Sequence, residues 1–413
     1  MKRSIKKILM ICVLFLSGIN LLSCKENVIT SYLDIEKITN IKEDFIIGMD
    51  ASSVISLEES GVKYYDFNNK EQDVFKILSD NGINHIRVRV WNNPFDNEGR
   101  GYGGGNCDIN TALAIGKRAN KYNMKLIVDF HYSDFWADPG KQQAPKKWKN
   151  LSFENKKEAL YSYTKESLTL LNNNNIKVGM VQIGNETNGA LAGETDFSKI
   201  SLLMNEGAKA IREIYPSSLV AVHFTNPEKA GLFDWYAGEL AKYSVDYDVF
   251  GTSYYPYWHG TLENLSNVLN SVANKYDKKV MVLENSYAYT LENSDYHPNT
   301  ISSSSSKVEN YQFSLQGQVD QVGDVIKTLC DIDASVGYCY WEGTWISVNK
   351  GSKEENKKAW EEYGSGWASS FAKEYDPNDA GIYYGGCAVE NQAFFDQNGK
   401  ALESLKLFKL IRK

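Results

Sequence analysis

Eight short apolar runs, each separated from the next by a longer amphipathic stretch, constrain the fold of this chain more than any other feature. Runs of this kind are typical of strands that are buried on both faces, as in a parallel sheet. The predicted strands are Phe45–Asp50, His85–Val90, Leu126–Phe130, Val178–Gly184, Leu219–Phe224, Val249–Tyr255, Val280–Glu284 and Gly337–Trp341.

The stretches between the strands have apolar residues at helical spacing, as in Gln72–Gly82, Ile109–Asn123 and Ser198–Pro216. Strands that alternate with helices predict an α/β fold, a single-domain (β/α)8 TIM barrel. The alternative, an open doubly wound sheet, would normally have a glycine-rich phosphate loop after its first strand. The glycine-rich stretch Gly101–Asn106 does not lie between a strand and a helix in that way, and we interpret it as a flexible loop on the substrate side.

The N-terminus indicates export. Basic residues precede the apolar segment Ile8–Leu22, which predicts a signal peptide over residues 1–23. The stretch Leu21–Cys24 resembles a bacterial lipobox with Cys24 as the lipidated residue, and cleavage without lipidation is the alternative. We therefore expect an anchored tether at residues 24–44, a barrel domain at 45–413, and a lipid-anchored location on the outer surface of the bacterial cell envelope.

Composition excludes some partners. The net charge of −7 argues against nucleic acid, which favours a basic surface. No nucleotide, haem or flavin motif occurs, and we expect a monomer. Outside the cytoplasm, Cys107, Cys330, Cys339 and Cys387 could form one or two disulfides, and their pairing stays open.

Two predicted strands end in a glutamate, Glu186 just after "VQIG" and Glu284 in "VMVLE". In a barrel of this kind the C-terminal ends of all strands meet at one face, where the loops carry the active site. Hydrolysis of a glycosidic bond needs one carboxylic acid and one carboxylate, so this pair predicts carbohydrate chemistry. Other polar and aromatic residues at strand ends are candidates for sugar contacts: Arg89, His131, Asp134, Trp136, Asn185, Tyr254, Trp258 and Trp341.

The motifs "GMDAS", "RVRVWNNPFD", "DFHYSDFWADPGKQQAPKKW", "VQIGNETNG", "SYYPYWHG" and "VLENSYAYT" resemble glycoside hydrolase family 53, the endo-β-1,4-galactanases of arabinogalactan. The resemblance extends from about Gly48 to Trp345. It implies a retaining enzyme with Glu186 as acid/base and Glu284 as nucleophile. It also implies that Arg89 lies beside the nucleophile and that Asn185 binds the sugar 2-hydroxyl.

The resemblance further places His131, Asp134 and Trp136 along the sugar subsites. The family usually has proline after the Trp-Glu pair of the eighth strand, whereas Gly343 follows Trp341 and Glu342 here. We expect galactan as the polysaccharide substrate. A mannanase or endoglucanase on the same barrel is the alternative within enzymes, and a non-catalytic surface glycan-binding lipoprotein is the alternative outside them.

A loop after the seventh predicted strand alternates oxygen-bearing residues, namely Asn293, Asp295, His297 and Asn299. Such spacing suits Ca²⁺, which binds carboxylate, amide and carbonyl oxygens. The loop resembles the calcium loop of bacterial family 53 members, where the first ligand is an aspartate rather than Asn293. We therefore expect a structural calcium ion, with an ion-free polar turn as the alternative.

Overall fold

The computed structural model describes residues 33–302 and 310–412, which lie in one compact unit. Eight parallel strands close into a barrel in which each strand pairs with its neighbours along the chain and the last pairs with the first. The predicted (β/α)8 barrel is thus confirmed. None of the helices in these ranges has the length and apolar character needed to span a membrane.

The strands lie within two residues of their predicted positions: the sixth ends at Ser253 instead of Tyr255, and the eighth begins at Ser335 instead of Gly337. The strands are β1 Ile46–Asp50, β2 His85–Val90, β3 Lys125–Phe130, β4 Val178–Ile183, β5 Leu219–Phe224, β6 Val249–Ser253, β7 Lys279–Glu284 and β8 Ser335–Tyr340. The helices are α1 Val54–Glu59, α2 Val74–Asp80, α3 Ile109–Lys121, α4 Phe153–Asn173, α5 Phe197–Ile214, α6 Leu232–Lys242, α7 Leu262–Tyr276, α8 Leu315–Cys330, α9 Lys353–Tyr363, α10 Ala380–Tyr383 and α11 Leu407–Leu410.

Side-chain caps and glycines determine where the helices begin and end. The Asp108 side chain accepts a hydrogen bond from Thr111 N at 2.8 Å and so caps the first turn of α3. Glycine ends the predicted helix Gln72–Gly82 for a steric reason. Gly82 has φ +96°, and a Cβ there would lie 2.7 Å from the Phe408 carbonyl oxygen.

Two apolar layers hold the barrel. The larger fills the space between strands and surrounding helices. The smaller lies inside the barrel and consists of Ile46, Ile127, Met180, Ala221, Val249, Met281, Leu283 and Cys339. This inner layer fills the interior of the barrel. The polar side chains that point inward near the strand ends are therefore accessible from the C-terminal face.

The expected tether differs from the structure in its second half. Residues 33–44 lie against the folded unit: Ile38 is buried and its N–H donates to Ile411 O at 2.9 Å. Lys42 Nζ donates to Asp333 O at 2.5 Å, so these residues belong to the barrel domain. The signal peptide at 1–23 and Cys24 lie outside the described residues and stay predictions.

The four cysteines of the barrel domain are free thiols, and Cys107, Cys339 and Cys387 are buried. Cys107 Sγ lies 3.2 Å from Gly104 O, and Cys387 Sγ lies 3.6 Å from Trp345 O. Of the pairings that the sequence leaves open, none is formed in the part of the chain that the structure describes.

Candidate active site

A cleft opens at the C-terminal ends of the strands and contains both predicted glutamates. Carboxylates, amides and tryptophan rings share this space, which is the inventory expected for sugar binding. The residues that line the deepest part of the cleft are Asp50, Arg87, Asp129, His131, Asn185, Glu186, Tyr255 and Glu284, and the rings around it are Trp136, Trp258, Trp341, Trp345 and Trp367.

Glu186 enters the cleft because the chain turns sharply where β4 ends. Gly184 has φ +83° and Glu186 has φ +47°, a left-handed backbone that a non-glycine residue rarely adopts. Neighbouring residues hold the turn in place. Thr187 N donates to His223 O at 2.9 Å, and Gln142 Nε2 donates to Asn185 O at 2.7 Å. Strain at this position is typical of a functional residue whose surroundings fix its direction.

Glu284 is the last residue of β7, and its two oxygens have different partners. Arg87 Nη1 lies 2.9 Å from Oε1, and the Tyr255 hydroxyl donates to Oε2 at 3.0 Å. A cation and a hydroxyl donor both favour the ionised carboxylate. This environment suits a nucleophile.

Ser253 lies between the two glutamates, and its contacts limit the distance between them. Its Oγ lies 2.6 Å from Glu186 Oε1 and 3.5 Å from Glu284 Oε2, so these oxygens are no further apart than the two lengths together. That limit is below the roughly 6.5–9.5 Å spacing of inverting glycosidases and is compatible with the roughly 5–5.5 Å spacing of retaining ones. The spacing of the pair is thus compatible with a covalent intermediate.

The two carboxyl groups also differ in charge. Burial, and then the nearby charge of Glu284, raise the pKa of Glu186 to about 8. Burial raises the pKa of Glu284 as well, but the guanidinium of Arg87 opposes this effect. With one proton shared between them, Glu186 retains it and Glu284 is ionised, as an acid and a nucleophile require at neutral pH.

The predicted place of Arg89 beside the nucleophile is wrong, because Arg87 has that position. Both side chains point into the barrel, since residues two apart share a face of a strand, but they lie at different heights. Arg89 lies one layer higher and pairs with Glu342, while its Nη2 donates to Gly104 O at 2.7 Å. Its guanidinium lies 4.3 Å from the ring centre of Trp136, and Arg89 lines the cleft as predicted, although it does not contact the nucleophile.

Arg87 is buried and is satisfied by four further side chains besides Glu284. Its donors reach Asp50, Asp129, Asn185 and Gln182 at 2.8–3.2 Å. Asn185 in turn donates through Nδ2 to Ala137 O at 2.8 Å. Asn185 thus lines the cleft as predicted, and its amide is held in one orientation from several sides.

His131 lines the cleft as predicted, but Asp134 does not. The His131 Nδ1 accepts hydrogen bonds from Trp91 Nε1 and Ala137 N at 3.1 Å, so its proton is on Nε2, 3.1 Å from Asp129 Oδ2. Asp134 instead braces the loop. Its oxygens accept from Asn93 N at 3.0 Å and Lys146 N at 2.8 Å, and burial raises its pKa to about 6.

Tyr254 is also wrong as a sugar contact. It is 2% exposed, lies in the apolar core, and donates through its hydroxyl to Gly260 O at 2.9 Å. Side chains alternate along the chain here, so Ser253 and Tyr255 face the cleft while Tyr254 faces away. Tyr255 was the better candidate from that alternation.

Trp136, Trp258 and Trp341 line the cleft as predicted, and Trp258 is 48% exposed. Trp345 and Trp367 were missed. Trp345 stacks on Trp136 at an interplanar angle of 14°, and Trp136 Nε1 donates to Trp367 O at 2.9 Å. The loop Gly101–Asn106, expected to be flexible, packs under these rings. Gly104 N donates to Gly366 O at 2.6 Å, and a Cβ at Gly104 would lie 2.8 Å from Trp91.

The predicted calcium loop places only some of its four residues as expected. The Asn293 Oδ1 accepts from Tyr296 N at 3.0 Å and its Nδ2 donates to His297 O, so both groups close a turn. Asp295 is buried, and its two oxygens accept hydrogen bonds from His297 N and Cys387 N at 2.8 Å, which leaves further lone pairs on each oxygen. Burial, and then the charge of Asp295, raise the pKa of Glu390, a residue that sequence reasoning missed, to about 8. Glu390 Oε2 and Asn299 Oδ1 are buried and accept no hydrogen bond.

Those unpaired oxygens fit a cation, because calcium binds oxygen atoms and would neutralise two buried carboxyl groups. No group of three or more His, Cys, Asp or Glu side chains that could hold a metal occurs in residues 33–302 and 310–412. Asp295 and Glu390 would therefore need help from Asn299 and from backbone carbonyls or water.

Comparisons with known proteins point to one family. The model of the family described as "Glycosyl hydrolase family 53" matches residues 46–408. The chain is 55% identical to the endo-β-1,4-galactanase of Bacillus subtilis strain 168, over 91% of this chain and 88% of that protein. It is 32% identical to the arabinogalactan endo-β-1,4-galactanase of Thermothelomyces thermophilus, over 88% and 98%. The solved structure of the Ignisphaera aggregans GH53 catalytic domain superposes with a TM-score of 0.82 at 37% identity, covering 92% of this chain and 100% of that one.

Proposed function

The chain belongs to glycosyl hydrolase family 53, and we propose that it is a retaining endo-β-1,4-galactanase with Glu186 as acid/base and Glu284 as nucleophile. The observation that carries the proposal is the placement of both glutamates around Ser253, at 2.6 and 3.5 Å from its hydroxyl oxygen. This spacing suits double displacement, in which a glycosyl ester forms on the enzyme and water then hydrolyses that ester.

In the first step the carboxylate of Glu284 attacks the anomeric carbon of the bound galactosyl unit. At the same time Glu186 donates its proton to the glycosidic oxygen, so the bond to the leaving chain breaks and a galactosyl ester forms on Glu284. Arg87 keeps Glu284 ionised before attack. It also stabilises the negative charge of Glu284 when the galactosyl ester is hydrolysed and Glu284 becomes a carboxylate again.

In the second step Glu186, now ionised, takes a proton from a water molecule. The resulting hydroxide attacks the anomeric carbon and releases Glu284, so the product has the configuration of the substrate. One residue thus acts as acid and then as base. Its raised pKa suits this cycle, because a group that titrates near working pH exchanges its proton in both directions.

We expect wild-type protein to release reducing ends from unbranched β-1,4-galactan, at least about 100-fold faster than from β-mannan or cellulose. A pocket that hydrogen-bonds particular hydroxyls rejects sugars that place them elsewhere. Reducing-end assays on the three polymers, at equal mass and over a pH series, give this ratio. Products from mannan or cellulose alone would overturn the substrate assignment, and binding to galactan without any product would favour the non-catalytic binder.

We also propose a structural calcium ion between the loops after β7 and β8, held by Asp295, Glu390 and Asn299. The support is the pair of buried carboxyl groups and the unpaired oxygens of Glu390 and Asn299. A cation there would join two loops that flank the cleft and would take no part in bond cleavage.

At pH 8 we expect the Tm to be about 3–5 °C higher in millimolar calcium than in chelator, as ligand binding to the folded state alone predicts. Without calcium, Glu390 has a folded pKa of about 8, raised above its unfolded value. The stability that protonated Glu390 contributes is fully present below the pKa that this group has in the unfolded protein. It is lost as pH rises through the pKa of the folded protein. Calcium should therefore stabilise the protein less at pH 5, where protons occupy the site.

Differential scanning calorimetry of wild type, E390Q and E284Q tests this. E390Q should lose most of the calcium response, whereas E284Q, which changes a buried carboxylate in the cleft, should retain it. An equal Tm in calcium and chelator at pH 8 would rule out a stabilising site.

A further inference from the structure

Behind Glu186 lies a buried hydrogen-bonded chain that the proposed mechanism does not use. Ser253 Oγ lies 2.6 Å from Glu186 Oε1 on one side and 2.9 Å from His223 Nε2 on the other. Ser253 and His223 are both completely buried, at the ends of β6 and β5. The register between β6 and β7 shifts at Ser253, which places it directly beside Glu284.

A serine hydroxyl has one proton and accepts hydrogen bonds from other donors. When Glu186 is protonated, its O–H can donate to Ser253 Oγ only if the serine proton points elsewhere. His223 Nε2 is the acceptor in reach for that proton. When Glu186 is ionised, the same serine proton can turn and donate to Oε1.

His223 suits this task because both of its tautomers find partners. Its Nδ1 lies 3.0 Å from Asn185 Oδ1, which can accept a proton, and it lies 2.9 Å from Gln182 Nε2 and 3.4 Å from Glu186 N, which each donate one. Burial, followed by the charge of Arg87, lowers the pKa of His223 well below its usual value, so the ring is neutral. A neutral ring presents Nε2 either as acceptor or as donor.

We propose that Ser253 and His223 are positioning residues that keep Glu186 hydrogen-bonded in both of its protonation states through reorientation of the Ser253 hydroxyl. A retaining enzyme needs its acid/base protonated in one step and ionised in the next. A fixed donor would favour the ionised form alone. The reversible hydroxyl holds the carboxyl group in one place throughout the cycle, and this inference rests on the proposed role of Glu186.

Other charged groups also influence the pKa values of Glu186 and His223, and a substitution at Ser253 does not change them. The charged and titratable groups that face Glu186 are Glu284, Arg87, Asp138 and Tyr255, and those that face His223 are Arg87, Asp129 and His131. Because these come from β2, β3, β7 and the loops after β3 and β6, a change confined to Ser253 leaves their charges unaltered.

The test is the pH profile of kcat/KM for S253A, with S253T and S133A as matched variants. S253A loses a hydrogen bond to Glu186 in both protonation states, but the bond to the ionised carboxylate is the stronger one. The alkaline pKa of S253A should therefore rise by about one pH unit. The threonine hydroxyl should restore the wild-type value. Ser133 is also buried and hydrogen-bonded, to Tyr375 at 2.9 Å, so S133A reports the effect of deleting a hydroxyl that does not contact Glu186.

A spectroscopic measurement in wild type covers the case in which S253A does not fold. The chain has five histidines, so labelling with ¹⁵N-histidine gives few ring signals. The Nε2 shift of His223 should change with the same midpoint as the alkaline limb, and it should be constant with pH in E186Q. Assignment uses the signal that is absent in the spectrum of H223N.

An alkaline limb in S253A equal to that of wild type, or an Nε2 shift that is flat through the limb, would overturn the inference while wild-type galactanase activity stands. A wild-type protein inactive on galactan would instead overturn the proposed function. The two failures are therefore distinct.

Discussion

Replacement of Glu284 by glutamine should reduce kcat on galactan by roughly 10⁴-fold or more while the protein remains folded, because an amide cannot form the ester intermediate. The loss should appear in kcat rather than KM, since the isosteric amide keeps the shape of the cleft. Arg87 would lose one partner but retain Asp50 and Asp129. Reducing-end kinetics and circular dichroism measure the two parts of this prediction.

Asp134→Asn is the matched control for this variant. It also turns a buried carboxylate near the C-terminal face into an amide, but Asp134 contacts Asn93 N and Lys146 N rather than the cleft. We expect at most a several-fold loss of kcat there. A folded Glu284→Gln protein with activity near wild type would remove Glu284 from the mechanism.

Replacement of Glu186 by alanine should have the second largest effect, and its size should depend on the leaving group. On galactan the leaving oxygen needs a proton, so kcat/KM should fall by about 10³–10⁴-fold, within the range of positioned acid catalysis. On dinitrophenyl β-galactobioside the leaving group departs without a proton. The first step should then remain fast, and the galactosyl-enzyme should accumulate because no base activates water.

Azide distinguishes this role from a structural one. The shortened side chain leaves room for a small anion that needs no base, so azide should restore turnover of the aryl substrate and yield the β-galactosyl azide. The same salt concentration of chloride is the control for ionic effects. An E186A protein equally impaired on both substrates, with no azide response, would contradict the acid/base role.

The pattern of apolar runs predicted the barrel because a parallel strand buried on both faces leaves a clear trace in sequence. The glutamates followed from the same pattern, as both end a strand at the face where the loops meet. Strand alternation, applied strictly, would also have found Tyr255 in place of Tyr254. The sequence does not determine which of two inward residues, Arg87 or Arg89, lies level with Glu284, because that depends on barrel register.

Other residues had no local signal. Glu390 and Trp367 come from the long segment after β8, and only folding brings them to the loop of Asp295 and to the ring of Trp136. Asp134 and Asn293 have oxygen-bearing side chains of the kind that bind a sugar or a cation. In the folded protein these oxygens accept hydrogen bonds from backbone N–H groups. The sequence shows which side chains have oxygen atoms, and only the fold shows which hydrogen bonds those atoms already accept.

The central claim is that Glu284 becomes bonded to the sugar while Glu186 handles the proton. The most direct test is mass spectrometry of E186A quenched during turnover of dinitrophenyl β-galactobioside, followed by pepsin digestion. The account predicts one galactobiosyl group per protein, located by fragmentation on Glu284. A label on another residue, or unlabelled protein despite a burst of dinitrophenol, would contradict it.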